Sequence, residues 1–138
     1  MELIIIDNWQ TIWAENKYWI MAHSQQNYNT IRLMAKNNQW SPEKTILLTT
    51  KIQETGLIPP TTKTLTTAYQ HAWGYFKKEC TPSEKTTYMK LLQQLTPEND
   101  ALGPFLKHLT DKYQEKYLLK SKLMKEQPEW TALLKPQG

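Results

Sequence analysis

Thr81-Pro82-Ser83-Glu84 decides the fold class, because it combines three helix-start signals in four residues. Thr81 supplies a side-chain N-cap, Pro82 occupies the first helical position where its missing N–H has no partner to lose, and Glu84 is placed to close a capping box. Ser41-Pro42-Glu43 and Thr96-Pro97-Glu98 repeat the pattern of cap, proline and first-turn acid. The remaining breakers, Gly56 to Pro60, Gly103-Pro104 and Pro128, fall between long segments of mixed polarity. Such punctuation specifies an all-α chain. Leu65, Tyr69, Ala72 and Phe76 recur at helical spacing, as do Leu106, Leu109, Tyr113 and Tyr117, and both read as core stripes. The expected helices span about 8–22, 25–37, 42–54, 62–78, 82–94 and 98–125, with a short one near 129–134. Gly103-Pro104 is expected to break or kink the sixth. No second strand is available to pair with the apolar run Leu3-Ile4-Ile5-Ile6, and no hairpin dipeptide occurs. The expectation is a single-domain bundle of about six helices over residues 1–138.

At 138 residues the chain has the modal size of one domain. Seventeen Lys plus Arg against thirteen Asp plus Glu give a formal charge of +4, a mild bias toward anionic partners. The single cysteine, Cys80, excludes an intrachain disulfide, a multi-cysteine zinc site and an iron–sulfur cluster held by this chain alone. Four glycines, with no Gly-x-Gly-x-x-Gly or Gly-Lys-Ser/Thr stretch, argue against a Gly-rich phosphate loop. Leu3 to Ile6 is too short for a secretory apolar region and has no basic segment before it, so a cytoplasmic location and no membrane partner are expected. No cofactor motif is present.

Chemistry must therefore come from polar and aromatic side chains. The three histidines are His23, His71 and His108, and no pair has the i,i+4 spacing of two metal ligands on one helix face. No Gly-x-Ser-x-Gly elbow is present, and Ser24 adjoins His23 instead of facing it, so a serine triad cannot be assigned. The segment Asn16 to Tyr28 mixes cations, rings and amides; its bland interpretation puts Trp19, Ile20 and Met21 in the core, Tyr18 half-buried, Ser24 at an N-cap and His23 in a satisfied turn. On the fourth helix Thr64, Thr67, His71, Tyr75 and Lys78 share the polar face, with Lys77 alongside. A solvated surface explains that face; so does a nucleic acid, with lysines on phosphates and rings on unpaired bases. Gly74 can equally be a fold determinant that permits close helix packing. His108, Lys112, Lys116 and Lys120 recur every four residues and form an expected basic ridge extended by Lys122 and Lys125, though Asp111 and Glu115 lie beside it.

Three of these runs carry a family resemblance. Asn16-Lys17-Tyr18 through Met21-Ala22-His23-Ser24, followed by Tyr28 and Leu33-Met34-Ala35, resembles the first block of the YbgA-type domain family, a bacterial family of unknown function. His71-Ala72-Trp73-Gly74-Tyr75-Phe76-Lys77-Lys78, with Ser83-Glu84-Lys85 downstream, is similar to its second block, and Lys107-His108 to its third. Thr67, Ile31-Arg32 and Leu102 depart from the pattern where the family has Asn, Leu-Gly and Pro. The resemblance implies a helical accessory domain, often fused to a cysteine-rich desulfidase domain that removes sulfur from thiouracil or thiouridine, with the helical part holding the RNA. Cluster chemistry does not transfer to a chain with Cys80 alone.

Three functions are thus in play. The first is an RNA-binding module, for tRNA above all, using Lys17, Tyr18, His23, Ser24, His71, Tyr75, Lys77, Lys78, Lys107, His108, Lys112, Lys116 and Lys120. The second is a small enzyme acting on a nucleotide or modified base, with His23 or His71 as general acid–base. The third is an interaction partner of a separate desulfidase or repair enzyme, anchored by exposed Trp or Tyr.

Overall fold

The computed structural model describes residues 9–36 and 41–130. The apolar run Leu3 to Ile6 and the expected short helix near 129–134, beyond its first residues, lie outside that range. Among the described residues the chain is all-α, with no strand and eight helices: α1 Trp9–His23, α2 Gln25–Met34, α3 Pro42–Thr55, α4 Thr62–Trp73, α5 Pro82–Gln93, α6 Leu102–Tyr113, α7 Lys116–Lys120 and α8 Lys122–Lys125. No helix among them is long and apolar enough to cross a membrane.

The caps form as their residue types dictate. Thr81 Oγ1 accepts from the Glu84 amide at 3.1 Å while a Glu84 carboxylate oxygen accepts from the Thr81 amide at 2.9 Å, completing the box. Ser41 and Ser24 cap α3 and α2 by accepting from the amides of Lys44 and Asn27. Thr61 and Thr64 form a second capping box that starts α4.

α1 is the central strut and packs on α4, α2, α3 and α8, while α6 closes the far side against α4, α5 and α8. The chain buries one core of large side chains: Trp19, Ile20 and Met21 from α1, Leu65, Tyr69, Ala72 and Phe76 from α4 and its following turn, and Leu102, Leu106 and Leu109 from α6. Removing such apolar area from water contributes roughly 1.5–3 kcal/mol per large side chain, which is what holds short helices of modest propensity. Trp73 stacks on Tyr88 of α5 with centroids 4.1 Å apart and planes within 5°.

Several expectations are corrected. The helix expected at 62–78 ends at Trp73; residues 74–79 continue as tight turns with Tyr75 N–H donating to the Ala72 carbonyl and Phe76 N–H to that of Trp73. Gly74 is exposed, and a Cβ there would meet only the His71 and Gln70 carbonyls of its own turn, so it does not serve helix packing. Thr96-Pro97-Glu98 starts no helix: the Asn99 amide turns back onto Thr96, and α6 begins at Leu102. Pro104 then falls in the first turn of α6, where a missing N–H costs nothing, so Gly103-Pro104 opens the helix instead of breaking it.

The expected 98–125 helix is broken later, at Gln114, whose φ of 51° is the only positive value at a non-glycine among the described residues. Its amide donates to the Thr110 carbonyl, and Glu115 caps α7 by accepting from the Leu118 amide at 3.0 Å. A left-handed non-glycine residue costs about 1–2 kcal/mol. The reversal it permits buries Leu118, Leu123 and Met124 against the core.

Candidate nucleic-acid interface

Where α1 crosses α4, a group of tyrosines gathers around the outer end of the interface. Tyr18 from α1 is only 9% exposed, and its hydroxyl lies 3.4 Å from that of Tyr75 in the turn after α4. Its ring centroid is 5.7 Å from His71, 6.4 Å from Tyr75 and 5.8 Å from Tyr117 of α7. Tyr75 and Tyr117 are offset-stacked at 5.6 Å with planes 19° apart. The Tyr117 hydroxyl donates to the Ala14 carbonyl, which pins α7 to α1. Trp13 packs 5.6 Å from Tyr28, and the Lys17 ammonium sits 5.9 Å from the Trp13 ring centroid.

Burial raises the Tyr18 phenol well above its ordinary value, reinforced by the Tyr75 hydroxyl, and burial pushes Tyr117 up to about 12. Both hydroxyls stay protonated near neutral pH. The cluster therefore presents neutral donors and ring faces rather than phenolates. His71 is exposed, and its Nδ1 lies 2.8 Å from the Thr67 carbonyl. A carbonyl only accepts, so Nδ1 carries the proton and, in the neutral ring, Nε2 is the acceptor. Lys77 and Lys78 follow Tyr75 in the same turn segment, exposed and without an ion-pair partner among the described residues.

The other sequence-selected residues lie elsewhere or are already engaged. His23 Nδ1 donates to the Ile58 carbonyl at 2.8 Å and its ring packs 4.4 Å from Trp19, so it staples the end of α1 to the loop after α3. The Ser24 hydroxyl accepts the α2 capping bond. Lys107 is half-buried 3.7 Å from Glu129, and the ring nearest His108 is Phe105 at 6.5 Å. The three histidines therefore point into three different surroundings. Among the described residues no three His, Cys, Asp or Glu side chains group as a metal site.

The basic ridge does not exist as one helix face. His108 and Lys112 belong to α6, Lys116 and Lys120 to α7, and the left-handed turn at Gln114 separates them. Lys112 donates to Glu84 at 2.5 Å, the Tyr113 hydroxyl reaches the same carboxylate at 2.6 Å, and the Thr81 amide completes the set. Burial alone would raise the Glu84 carboxyl, but these hydrogen bonds outweigh it and hold it down to about 2. Lys112 is raised mainly by its bond to Glu84, so its charge is compensated within the protein. Lys116 and Lys120 are exposed.

Tyr117 is the member that sequence reasoning assigned to the core stripe and not to the site. Its spacing from Tyr113 signalled a buried face; only the reversal at Gln114 turns it toward Tyr18 and Tyr75.

A family model described as a protein of unknown function, DUF1722, matches residues 17–128. The chain belongs to this family. Apart from Asn16, all three blocks singled out in the sequence lie inside the DUF1722 match, as do Tyr117 and the turn carrying Lys77 and Lys78. No curated protein and no solved structure matches the chain.

Proposed function

We propose that this DUF1722 chain is an RNA-binding module, with tRNA as its RNA, working beside a separate cysteine-rich desulfidase of the kind to which YbgA-type domains are fused. The observation that supports it most is the meeting of Tyr18, His71 and Tyr75 from two sequence-distant blocks, joined by Tyr117 and continued by Lys77 and Lys78. Exposed His71 and half-exposed Tyr75 offer faces for unpaired bases, and the two lysines offer cations for the flanking phosphates. Lys112 plays no part, since Glu84 neutralises it, and Ser24 and His23 serve the fold.

The test is binding of the purified chain to tRNA across a salt series, with a DNA duplex of similar length as competitor. Salt-steep binding that prefers tRNA is expected. Lys77→Ala with Lys78→Ala should flatten the salt slope by about one unit per lost phosphate contact. No binding at low salt, or a double variant indistinguishable from the parent, defeats this interface.

A second reading rests on one observation: exposed His71 holds its proton on Nδ1, leaving Nε2 as the acceptor of the neutral ring, with the ring 5.7 Å from that of Tyr18, an arrangement usable for general acid–base work on a nucleotide or modified base. It requires turnover that Tyr18→Phe and His71→Ala both abolish while tRNA affinity persists.

A further inference from the structure

We infer that the cleft between α1 and the α7–α8 turns is a ribonucleotide subsite of the same face, with Lys120 and Lys125 holding a phosphate and Glu15 and Asn16 reading the ribose 2′-hydroxyl. This rests on the RNA-binding reading and extends it to the chemistry of the sugar. The cleft has a volume of about 310 Å³ and is lined by Glu15, Asn16, Lys120, Lys122, Lys125 and Glu126. That is the lower end of the size range of small-ligand sites, roughly 300 Å³ and upward.

Its charges divide into a fixed pair and a free set. Lys122 donates to Glu126 at 2.8 Å and lies 4.9 Å from the Trp19 ring centroid, while the Trp19 indole N–H donates to Glu126 at 2.9 Å. These three groups satisfy one another and build a wall. Lys120 and Lys125 are exposed, and neither they nor Glu15 has an ion-pair partner among the described residues. Asn16 uses its amide N–H on the Ile12 carbonyl at 2.8 Å, leaving its oxygen without a partner among the described residues.

A bare phosphate fits two lysines but gains nothing from the acceptors beside them. An ionised carboxylate is acceptor-only, so Glu15 calls for a neutral donor on the ligand. A ribonucleotide carries both functions: a phosphate for the cations and a 2′-hydroxyl donor for Glu15 or the Asn16 oxygen, and deoxyribose lacks the second. The cleft also lies beside the tyrosine cluster. Tyr117 donates to the carbonyl of Ala14, the residue before Glu15, and stacks on Tyr75, while Lys120 follows Tyr117 by one helical turn. A base on the tyrosines and its neighbouring sugar-phosphate in the cleft would share Tyr117 as the dividing wall.

The experiment compares oligouridylate, its deoxy counterpart and its 2′-O-methyl counterpart, with tRNA as reference, on the parent chain, Glu15→Ala, and Lys120→Ala with Lys125→Ala. The parent should prefer the ribo form by about tenfold over both analogues, the size expected for a hydrogen bond to a charged group. Glu15→Ala should lose that preference without weakening the deoxy complex. The double lysine variant should weaken all three and flatten the salt slope by about 1.4 units. Because the 2′-O-methyl probe removes the donor from the ligand, it tests the sugar contact even if Glu15→Ala fails to fold. Equal binding of all three by the parent, or an unchanged slope in the lysine variant, overturns the subsite; if tRNA still binds, the RNA reading survives. A parent that binds neither tRNA nor any oligonucleotide overturns both.

Discussion

Two tyrosine networks flank α4, and they are built in opposite ways. Tyr69 is 1% exposed; its hydroxyl donates to Asp100 Oδ2 at 2.5 Å and accepts from the Gln127 amide at 3.2 Å. Asp100 Oδ1 in turn accepts from the Gly103 amide at 2.9 Å, tying α4, the start of α6 and the C-terminal segment into one knot. Burial raises the Tyr69 phenol, with Asp100 adding to it. Two residues further on, about 200° around the helix, His71 opens the other network. There the only hydroxyl contact of Tyr18 is Tyr75 at 3.4 Å, with no carboxylate bonded to it among the described residues. A buried network in which the Tyr69 hydroxyl and both Asp100 oxygens are bonded over-determines the fold, whereas an open one keeps donors and ring faces for a ligand.

That contrast is testable. Gly103→Ala should have the largest effect, since a Cβ would lie 2.2 Å from Gln127 Oε1 and 2.6 Å from the Tyr69 hydroxyl. A loss of about 3 kcal/mol in urea unfolding is expected, the upper end for overpacking. Tyr69→Phe leaves Asp100 Oδ2 without its donor and should cost about 2 kcal/mol; Tyr18→Phe, which removes only a long contact, should cost less than about 1. Equal losses in the two variants would erase the distinction between the networks.

A pH-dependent effect tests a second bonded carboxylate. Glu84 ionises at about 2 in the fold against an ordinary 4.5, so its contribution is complete above about 4.5 and disappears as the pH falls toward 2. Unfolding free energy in that window should fall more steeply for the parent than for Glu84→Gln, which has no proton to take up. Tyr75→Ala tests the functional side: tRNA affinity should drop by about tenfold, within the range for a lost base stack, measured below the lowered melting temperature that loss of its packing on Tyr117 brings. Lys77→Ala with Lys78→Ala should leave stability within about 0.5 kcal/mol, as for exposed side chains.

Much of this was legible beforehand. Thr81 and Glu84, Ser41 and Ser24 act as the caps their spacing announced, because a cap involves only residues three apart. The stripe Leu65, Tyr69, Ala72 and Phe76 is buried as its period required. His71 and Tyr75 were singled out, and they do sit together with Tyr18. The basic ridge was misjudged for a physical reason: a repeat every four residues implies a common face only while the helix continues, and no glycine or proline at Gln114 warned that it would not. The start at Thr96-Pro97 failed similarly, since Asp100 competed successfully for the α6 amide.

By itself the sequence determined the all-α class, most helix starts and the apolar faces, since these depend on local hydrogen bonding and on side-chain period. Tertiary structure alone decided that Gln114 takes a left-handed turn, that Glu84 neutralises Lys112, and that the Tyr117 hydroxyl donates to the Ala14 carbonyl. Those outcomes join residues from 28 to 103 positions apart, and such pairings are settled by which packing buries Leu118, Leu123 and Met124, a property of the whole core and of no local segment.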